Sequence, residues 1–197
     1  MGQIFYIIGK SASGKDSIFR RLIEDPELAL KRITMYTTRP MREGEVPGKD
    51  YHYISTEQLA AFREAGRVIE CRTYQTVHGP WSYATIDDGN FVMDGSNYLG
   101  VGVLQSFVDL RTYFGADAVK PIYVEVEDGE RLQRALDRAR LDEVPRYVEL
   151  CRRFLTDSED FSEVNLLNAG ITRRFWNDDL ERCLSEIRGF ILGEERI

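Results

Sequence analysis

Apolar positions along the chain alternate between short continuous runs and stripes of helical spacing. Gln3 to Ile8 is a short apolar run that predicts a buried strand, and it ends at a glycine-containing loop, Gly9 to Lys15. Ile18, Phe19, Leu22 and Ile23 then recur at helical spacing until Asp25-Pro26 stops the pattern. Ser55-Thr56-Glu57-Gln58 has the spacing of a capping box and predicts a helix running towards Gly66. Arg67 to Thr73 reads as a strand, and Leu104, Phe107 and Val108 mark a helix ended by Gly115. Val119 to Val126 is the most strand-like run of the second half, followed by a helical face of Leu132, Ala135, Leu136 and Ala139. Tyr147, Leu150, Cys151, Phe154 and Leu155 make the next stripe, Ile171 to Trp176 a last strand, and Leu180, Cys183, Leu184, Ile187 and Ile191 a closing helix. Strands separated by helices predict an α/β fold with a parallel sheet flanked by helices. Between Thr37 and Gly102 the pattern changes to short extended pieces rich in Gly and Tyr, with a turn at Asp94-Gly95-Ser96-Asn97. That stretch predicts an insertion with its own small, partly antiparallel sheet.

Composition narrows the function classes. The 197 residues are 43% hydrophobic and 30% charged, which suits one globular domain and excludes general disorder. A net charge of −7 gives no global field for nucleic acid or an anionic membrane, so a phosphate site must be built locally. The apolar run Ile4 to Ile8 is too short to span a bilayer and follows no basic segment, so neither signal peptide nor membrane anchoring is expected. Tyr6 stands where a myristoylation signal wants Ser or Thr. Cys71, Cys151 and Cys183 are odd in number and widely spaced, which fits reduced thiols in the cytoplasm better than a disulfide framework or a zinc site. His52 and His78 share no metal-ligand spacing with them.

Gly9-Lys10-Ser11-Ala12-Ser13-Gly14-Lys15 has the glycine and lysine spacing of a P-loop, between a predicted strand and a predicted helix. In such a loop the backbone N–H groups point at phosphate oxygens, the new helix adds its positive end, and Lys15 supplies a point charge. The residue after the lysine is usually a metal-binding Ser or Thr. Here it is Asp16, followed by Ser17. Three readings stand: the Asp16 carboxylate holds Mg²⁺, Ser17 substitutes for it, or the loop binds phosphate weakly.

The stretch Thr37-Thr38-Arg39-Pro40-Met41-Arg42-Glu43-Gly44-Glu45-Val46-Pro47-Gly48-Lys49-Asp50-Tyr51 sets two arginines three apart, able to face one anion with bidentate guanidinium groups, and a phenol donor at Tyr51. After the phosphate loop, this block closely resembles guanylate kinase. Val68-Ile69-Glu70, Tyr83-Ala84-Thr85 and Asn177-Asp178-Asp179-Leu180 extend the resemblance over nearly the whole chain. It implies a P-loop kinase fold in three parts: a core of 1–36 and 98–197, an acceptor-binding insertion at about 37–97 and a short helical lid at about 138–150. It implies ATP phosphates held by Lys15 and the loop of Gly9, Ser11, Ala12, Ser13, Gly14, Asp16 and Ser17, with Mg²⁺ as cofactor. It implies an acceptor monophosphate held by Arg39, Arg42, Tyr51 and Tyr83, and a guanine faced by Glu70 and Thr85. On residue type alone Tyr83 serves equally as a core aromatic, and Glu70 as the ion-pair partner of Arg72 or Arg67.

The resemblance breaks in three places. The family's Asp-x-Asp strand is Leu99-Gly100-Val101-Gly102, so both carboxylates are absent, with Asp87, Asp88 and Asp94 as candidate replacements. Ile86 to Asn97 is rich in Gly and Asp instead of helical, and Met35 and Tyr36 stand where the family has small hydroxyl residues.

Seven of the chain's 21 arginines fall within 23 positions: Arg131, Arg134, Arg138, Arg140, Arg146, Arg152 and Arg153. Phosphoryl transfer uses cations to stabilise charge spread over the moving group, and Arg134, Arg138 and Arg153 are the expected catalytic set. The others are expected on exposed helix, paired with Asp137, Asp142, Glu143 or Glu149. The expected function is transfer of phosphate from ATP to GMP by a monomeric enzyme that binds small nucleotides and no nucleic acid. The rivals are the same chemistry on a deoxy or modified nucleotide, and a non-catalytic binding module that uses the acceptor cleft for a partner.

Overall fold

The computed structural model describes residues 2–76, 79–89 and 95–194, so His78 and Asp94 lie outside the described residues. In chain order the elements are β1 (Ile4–Ile8), α1 (Lys15–Ile23), β2 (Lys31–Arg32), β3 (Tyr36–Thr37), β4 (His52–Tyr53), α2 (Thr56–Glu64), β5 (Val68–Thr76), β6 (Gly79–Ile86), β7 (Tyr98–Gly102), α3 (Leu104–Phe114), β8 (Val119–Glu125), α4 (Asp128–Ala139), α5 (Tyr147–Asp160), α6 (Glu163–Asn168), β9 (Phe175–Trp176) and α7 (Leu180–Leu192). The main sheet has the order β2-β7-β1-β8-β9 and every pairing in it is parallel.

A central parallel strand is covered on both faces, which is why β1 reads as an unbroken apolar run. Its alternate residues feed two cores. Ile4, Tyr6 and Ile8 pack with Phe107 and Leu110 of α3, Tyr123, Phe161 and Leu166. Phe5 and Ile7 pack with Ile18, Phe19 and Leu22 of α1 and with Cys183, Leu184 and Ile187 of α7. Burying each such side chain is worth about 1.5–3 kcal/mol, so these two layers fix where β1 ends and the phosphate loop begins.

The second sheet has the order β4-β3-β6-β5, with β3 antiparallel to β6, β6 antiparallel to β5 and β3 parallel to β4. Helix α2 closes it: Ser55 caps the Gln58 amide, the Gln58 side chain accepts from the Ser55 amide, and Leu59 seats under Tyr36, Ala84 and Ile86. The expected strand Ile171 to Trp176 shrinks to Phe175–Trp176. Only these two residues meet β8, at Val124 and Glu125, while Ile171 packs into the core from the turn after α6. The short elements β2 and α6 had no periodicity to announce them. No helix among the described residues is long and apolar enough to cross a membrane, and the three cysteines are unbridged.

Candidate active site

The loop leaving β1 is shaped by close approaches. A Cβ on Gly9 would stand 2.6 Å from the Val124 carbonyl oxygen, and one on Gly14 2.3 Å from Asn177 Nδ2. Gly14 also has φ 86°, as the residue that caps α1. Asn177 ties the loop to the end of the sheet: its Nδ2 donates to the Ser13 carbonyl at 2.8 Å and its backbone N–H to the Glu125 carbonyl at 2.8 Å. Lys15 Nζ makes one long contact, 3.5 Å to the Lys10 carbonyl. The Ser13 hydroxyl is buried without a hydrogen-bond partner. Asp16 is exposed on the first turn of α1, and Ser17 follows it half-buried.

A charged brace holds this loop from the other side. Arg131 is almost wholly buried on α4, and its Nε and Nη2 donate to Asp128 Oδ1 at 3.1 and 2.9 Å. Its Nη1 reaches Asp157 Oδ2 of α5 and the Ser11 carbonyl, both at 3.4 Å, and its guanidinium lies 4.2 Å from the Phe154 ring centroid. Asp157 Oδ2 also accepts the Ser11 amide at 2.7 Å, and Lys10 Nζ pairs with Asp128 at 3.2 Å. Sequence reasoning grouped Arg131 with the exposed lid arginines. Asp157 lies 26 positions away on another helix, and no spacing rule joins the two.

Of the expected lid arginines, Arg134 is joined to the loop through Asn177. Its Nη2 donates to the Asn177 carbonyl at 3.0 Å and its Nε to Glu130 at 3.0 Å. Arg138 and Arg153 line a narrow crevice with Ser11, Arg131 and Phe154. Arg153 faces Glu149 at 3.7 Å. Arg140 pairs with Asp137 and Arg152 with Glu149, on exposed helix as expected. Residues 141–146 join α4 to α5 without helix, and Leu141, Val144 and Val148 stand in solvent there.

The second sheet presents the arginine loop. Thr37 Oγ1 donates to the Ser82 carbonyl at 2.9 Å and Thr38 Oγ1 accepts the Ser82 amide at 2.9 Å, which pins Thr37-Thr38 to β6. Arg39 is buried between the Tyr51 and Tyr53 rings, 5.0 and 5.8 Å from their centroids. Glu45 takes both of its terminal nitrogens, through Oε2 at 2.7 Å and through Oε1. That ion pair raises the Arg39 pKa and lowers the Glu45 carboxyl to about 2, with the Arg42 amide and the Tyr53 hydroxyl adding to the effect. Arg39 Nε is buried and unpaired. Tyr83 stands edge-on to Tyr51 at 5.7 Å, and Arg42 is exposed at the loop tip. Burial raises the Tyr51 pKa, and both Arg39 and the Asp16 carboxylate act on that phenol.

Glu70 and Thr85 are register partners on β5 and β6, and Thr85 Oγ1 donates to Glu70 Oε1 at 3.0 Å. The Glu70 carboxylate also accepts from Arg72 Nε at 3.2 Å and is 1% exposed. The ion pair with Arg72 is thus formed, and the one with Arg67 is not, since Arg67 Nε donates to the Asp87 carbonyl. Asp87 accepts from Tyr113 at 3.0 Å and Asp88 from Tyr36 at 2.5 Å.

A glycine-shaped loop between a buried parallel strand and a helix, joined to a separate small sheet that carries Arg39 and Tyr51, is the arrangement of a P-loop nucleotide kinase. The chain belongs to the guanylate kinase family, whose model, "Guanylate kinase", matches residues 1–143. It is 28% identical to the guanylate kinase of Nitratidesulfovibrio vulgaris over 202 residues, covering 98% of this chain and 87% of that protein. It is 27% identical to that of Brucella melitensis, covering 98% and 83%. The guanylate kinase structure from Anaplasma phagocytophilum superposes with a TM-score of 0.68 at 19% identity, over 100% of this chain and 87% of that one.

Proposed function

We propose that the chain transfers the γ-phosphoryl group of ATP to the phosphate of GMP, giving ADP and GDP. The observation that carries this reading is the family match over residues 1–143, supported by the glycine-shaped Lys15 loop after β1 and by Arg39 held against the Tyr51 ring on the second sheet, with Tyr83 edge-on to it. In the transfer an acceptor phosphate oxygen forms a bond to the γ-phosphorus while the bond to the β–γ bridging oxygen breaks. The acceptor is already an anion at neutral pH, so no protein base is required.

Within this reading the loop backbone and Lys15 hold the donor phosphates. Arg39, through the unpaired Nε, and Arg42 with Tyr51 and Tyr83 hold the acceptor phosphate. Glu70 and Thr85 read the base, and Arg134, Arg138 and Arg153 come over the transferring group when the segment at about 138–150 closes on the core. The insertion at about 37–97 moves as the acceptor-binding part. Family membership implies Mg²⁺ with ATP. Among the described residues no three His, Cys, Asp or Glu gather as a cage. A single exposed carboxylate at Asp16 suits that ion, which takes one or two carboxylates and fills its other positions with phosphate oxygens and water. Bound there, it would neutralise charge on the donor phosphates.

The test is ADP release across a panel of nucleoside monophosphates, for wild type and Lys15→Ala. GMP turnover that falls by at least 100-fold in the variant, with an unchanged melting temperature, is expected. A wild type that releases ADP with another nucleotide and not with GMP overturns the choice of acceptor. One that releases none overturns the enzyme reading in favour of a binding module.

A further inference from the structure

In the pairing of β1 with β7, Tyr6 stands opposite Gly100 and Ile8 opposite Gly102. The Tyr6 ring spans both glycines. A Cβ at position 100 would lie 2.6 Å from two ring carbons, and one at 102 only 2.3 Å from the phenol oxygen. While the tyrosine is in place, no larger residue fits at either position. The two glycines make room for the tyrosine, whose neutral hydroxyl ends over position 102.

That hydroxyl calls for a reason. It is buried and meets no group at full hydrogen-bond geometry; Ser106 Oγ on the first turn of α3, the hydroxyl that faces it, is unpaired as well. Phenylalanine would fill the same volume without an unpaired phenol. The groups that act on the phenol are Glu70 and Arg72 from β5 and Ser106 and Asp109 from α3, and burial keeps it protonated. Ile69, next to Glu70, packs against the core that contains Tyr6. The hydroxyl therefore lies within electrostatic reach of the carboxylate assigned above to the base, on the face of β1 whose core Ile69 joins.

We propose that Tyr6 is a specificity-determining residue of the acceptor site, its hydroxyl donating to a ring acceptor of the purine whose adjacent N–H groups go to Glu70. This rests on the GMP reading. Guanine presents N1–H and N2–H₂ side by side, flanked by the acceptors O6 and N3. A carboxylate accepts the donor pair but repels the flanking lone pairs, whereas a phenol can donate to one of them. Glu70 is engaged by Arg72 in this structure. The Arg72 guanidinium offers the same kind of N–H donors as the guanine edge and holds its place. Its withdrawal frees Glu70 for the guanine edge.

The experiment compares wild type, Tyr6→Phe and Ser106→Ala in steady-state kinetics with GMP, 3-deaza-GMP and AMP, alongside thermal unfolding. Tyr6→Phe should raise the KM for GMP at least threefold and leave the KM for ATP unchanged, with a melting temperature equal to or above that of wild type. Ser106→Ala should leave the KM for GMP unchanged. If wild type handles 3-deaza-GMP as poorly as Tyr6→Phe handles GMP, the acceptor atom is N3; if it handles 3-deaza-GMP as well as GMP, it is O6. An unaltered KM for GMP in Tyr6→Phe, or an equal rise in Ser106→Ala, overturns the proposal. In wild type labelled with ¹³C at tyrosine Cζ, the Tyr6 resonance should shift on GMP binding, and a fixed resonance also overturns it. Should wild type prefer another acceptor, the GMP reading falls alone, and the same comparison on that acceptor decides the role of Tyr6. If no nucleotide of a full monophosphate panel binds, both fall.

Discussion

Replacing Arg131 with methionine would test whether the buried charge network holds the phosphate loop. Methionine keeps most of the aliphatic volume against Phe154 and removes only the guanidinium. The Arg131 side chain is 2% exposed, Asp157 16% and Asp128 47%. The three partners are therefore not equal. Asp128 is wet enough to stay solvated on its own and keeps Lys10. Asp157 loses the cation that balances its partly buried carboxylate, while still accepting the Ser11 amide. Removing one member of a buried pair costs about 3–5 kcal/mol. With half of the network near solvent, the lower end applies, about 3 kcal/mol. For a chain of this size that lowers the melting temperature by roughly 6–12 °C. Urea unfolding of wild type, Arg131→Met, Asp157→Asn and the double variant gives the coupling directly. The double variant should recover about 1 kcal/mol or more relative to the sum of the singles, because the neutral amide no longer needs the cation. The KM for ATP should rise in Arg131→Met, since Ser11 is held through both its amide and its carbonyl. A stability loss below about 1 kcal/mol with zero coupling would refute the network as a brace.

Three further outcomes follow from the same geometry. Arg42→Ala should raise the KM for GMP by roughly tenfold or more, the equivalent of about 1.5–3 kcal/mol for one charge-assisted bond, and leave the melting temperature unmoved because the side chain is exposed. Ala12 has φ 64°, a conformation that costs a residue with a Cβ about 1–2 kcal/mol; Ala12→Gly should stabilise the protein by a net ~0.5–1 kcal/mol once the freer unfolded chain is counted, checked by urea unfolding. Glu45 is ionised down to about pH 2 in the folded protein against an ordinary 4.5, so its pair with Arg39 contributes fully above pH 4.5 and is lost as pH falls towards 2; the melting-temperature difference between wild type and Glu45→Gln should be constant near neutrality and vanish across that interval.

The phosphate end of the site was legible because its physics is local. Glycines at 9 and 14 and a lysine at 15 lie within one turn of chain, and Arg39 and Arg42 within another, so spacing alone brings the donors together. The parallel sheet was legible for a similar reason: β1 is an apolar run buried on both faces, and Ile122 to Val124 of β8 repeats it. What spacing could not show are contacts made across elements. Arg131 reads as one more charge on an amphipathic helix until α5 brings Asp157 beneath it. Arg39 reads as a free cation until the turn at Glu43-Gly44 folds Glu45 back onto both of its terminal nitrogens. Strand β9 needed its partner, since only two of six extended residues find β8.

The base end was misleading for a different reason, and it bears on how this member of the family differs from its relatives. The sequence shows Gly100 and Gly102 as two losses, and a loss invites a search for a compensating carboxylate nearby. Asp87 and Asp88 were the obvious candidates, and the structure spends both on tyrosines. The space over them is filled from β1, by Tyr6, in a run so uniformly apolar that it reads as core. Parallel pairing places residues 94 positions apart side by side, and the close approach of the ring leaves room for nothing larger than glycine at either position. In the acceptor site proposed above, the two glycines leave out two negative charges, and Arg72 pairs with Glu70. A cleft altered in that way favours a base that presents acceptors next to its donors over one that presents donors alone. Guanine meets that condition at both ends of its N–H edge.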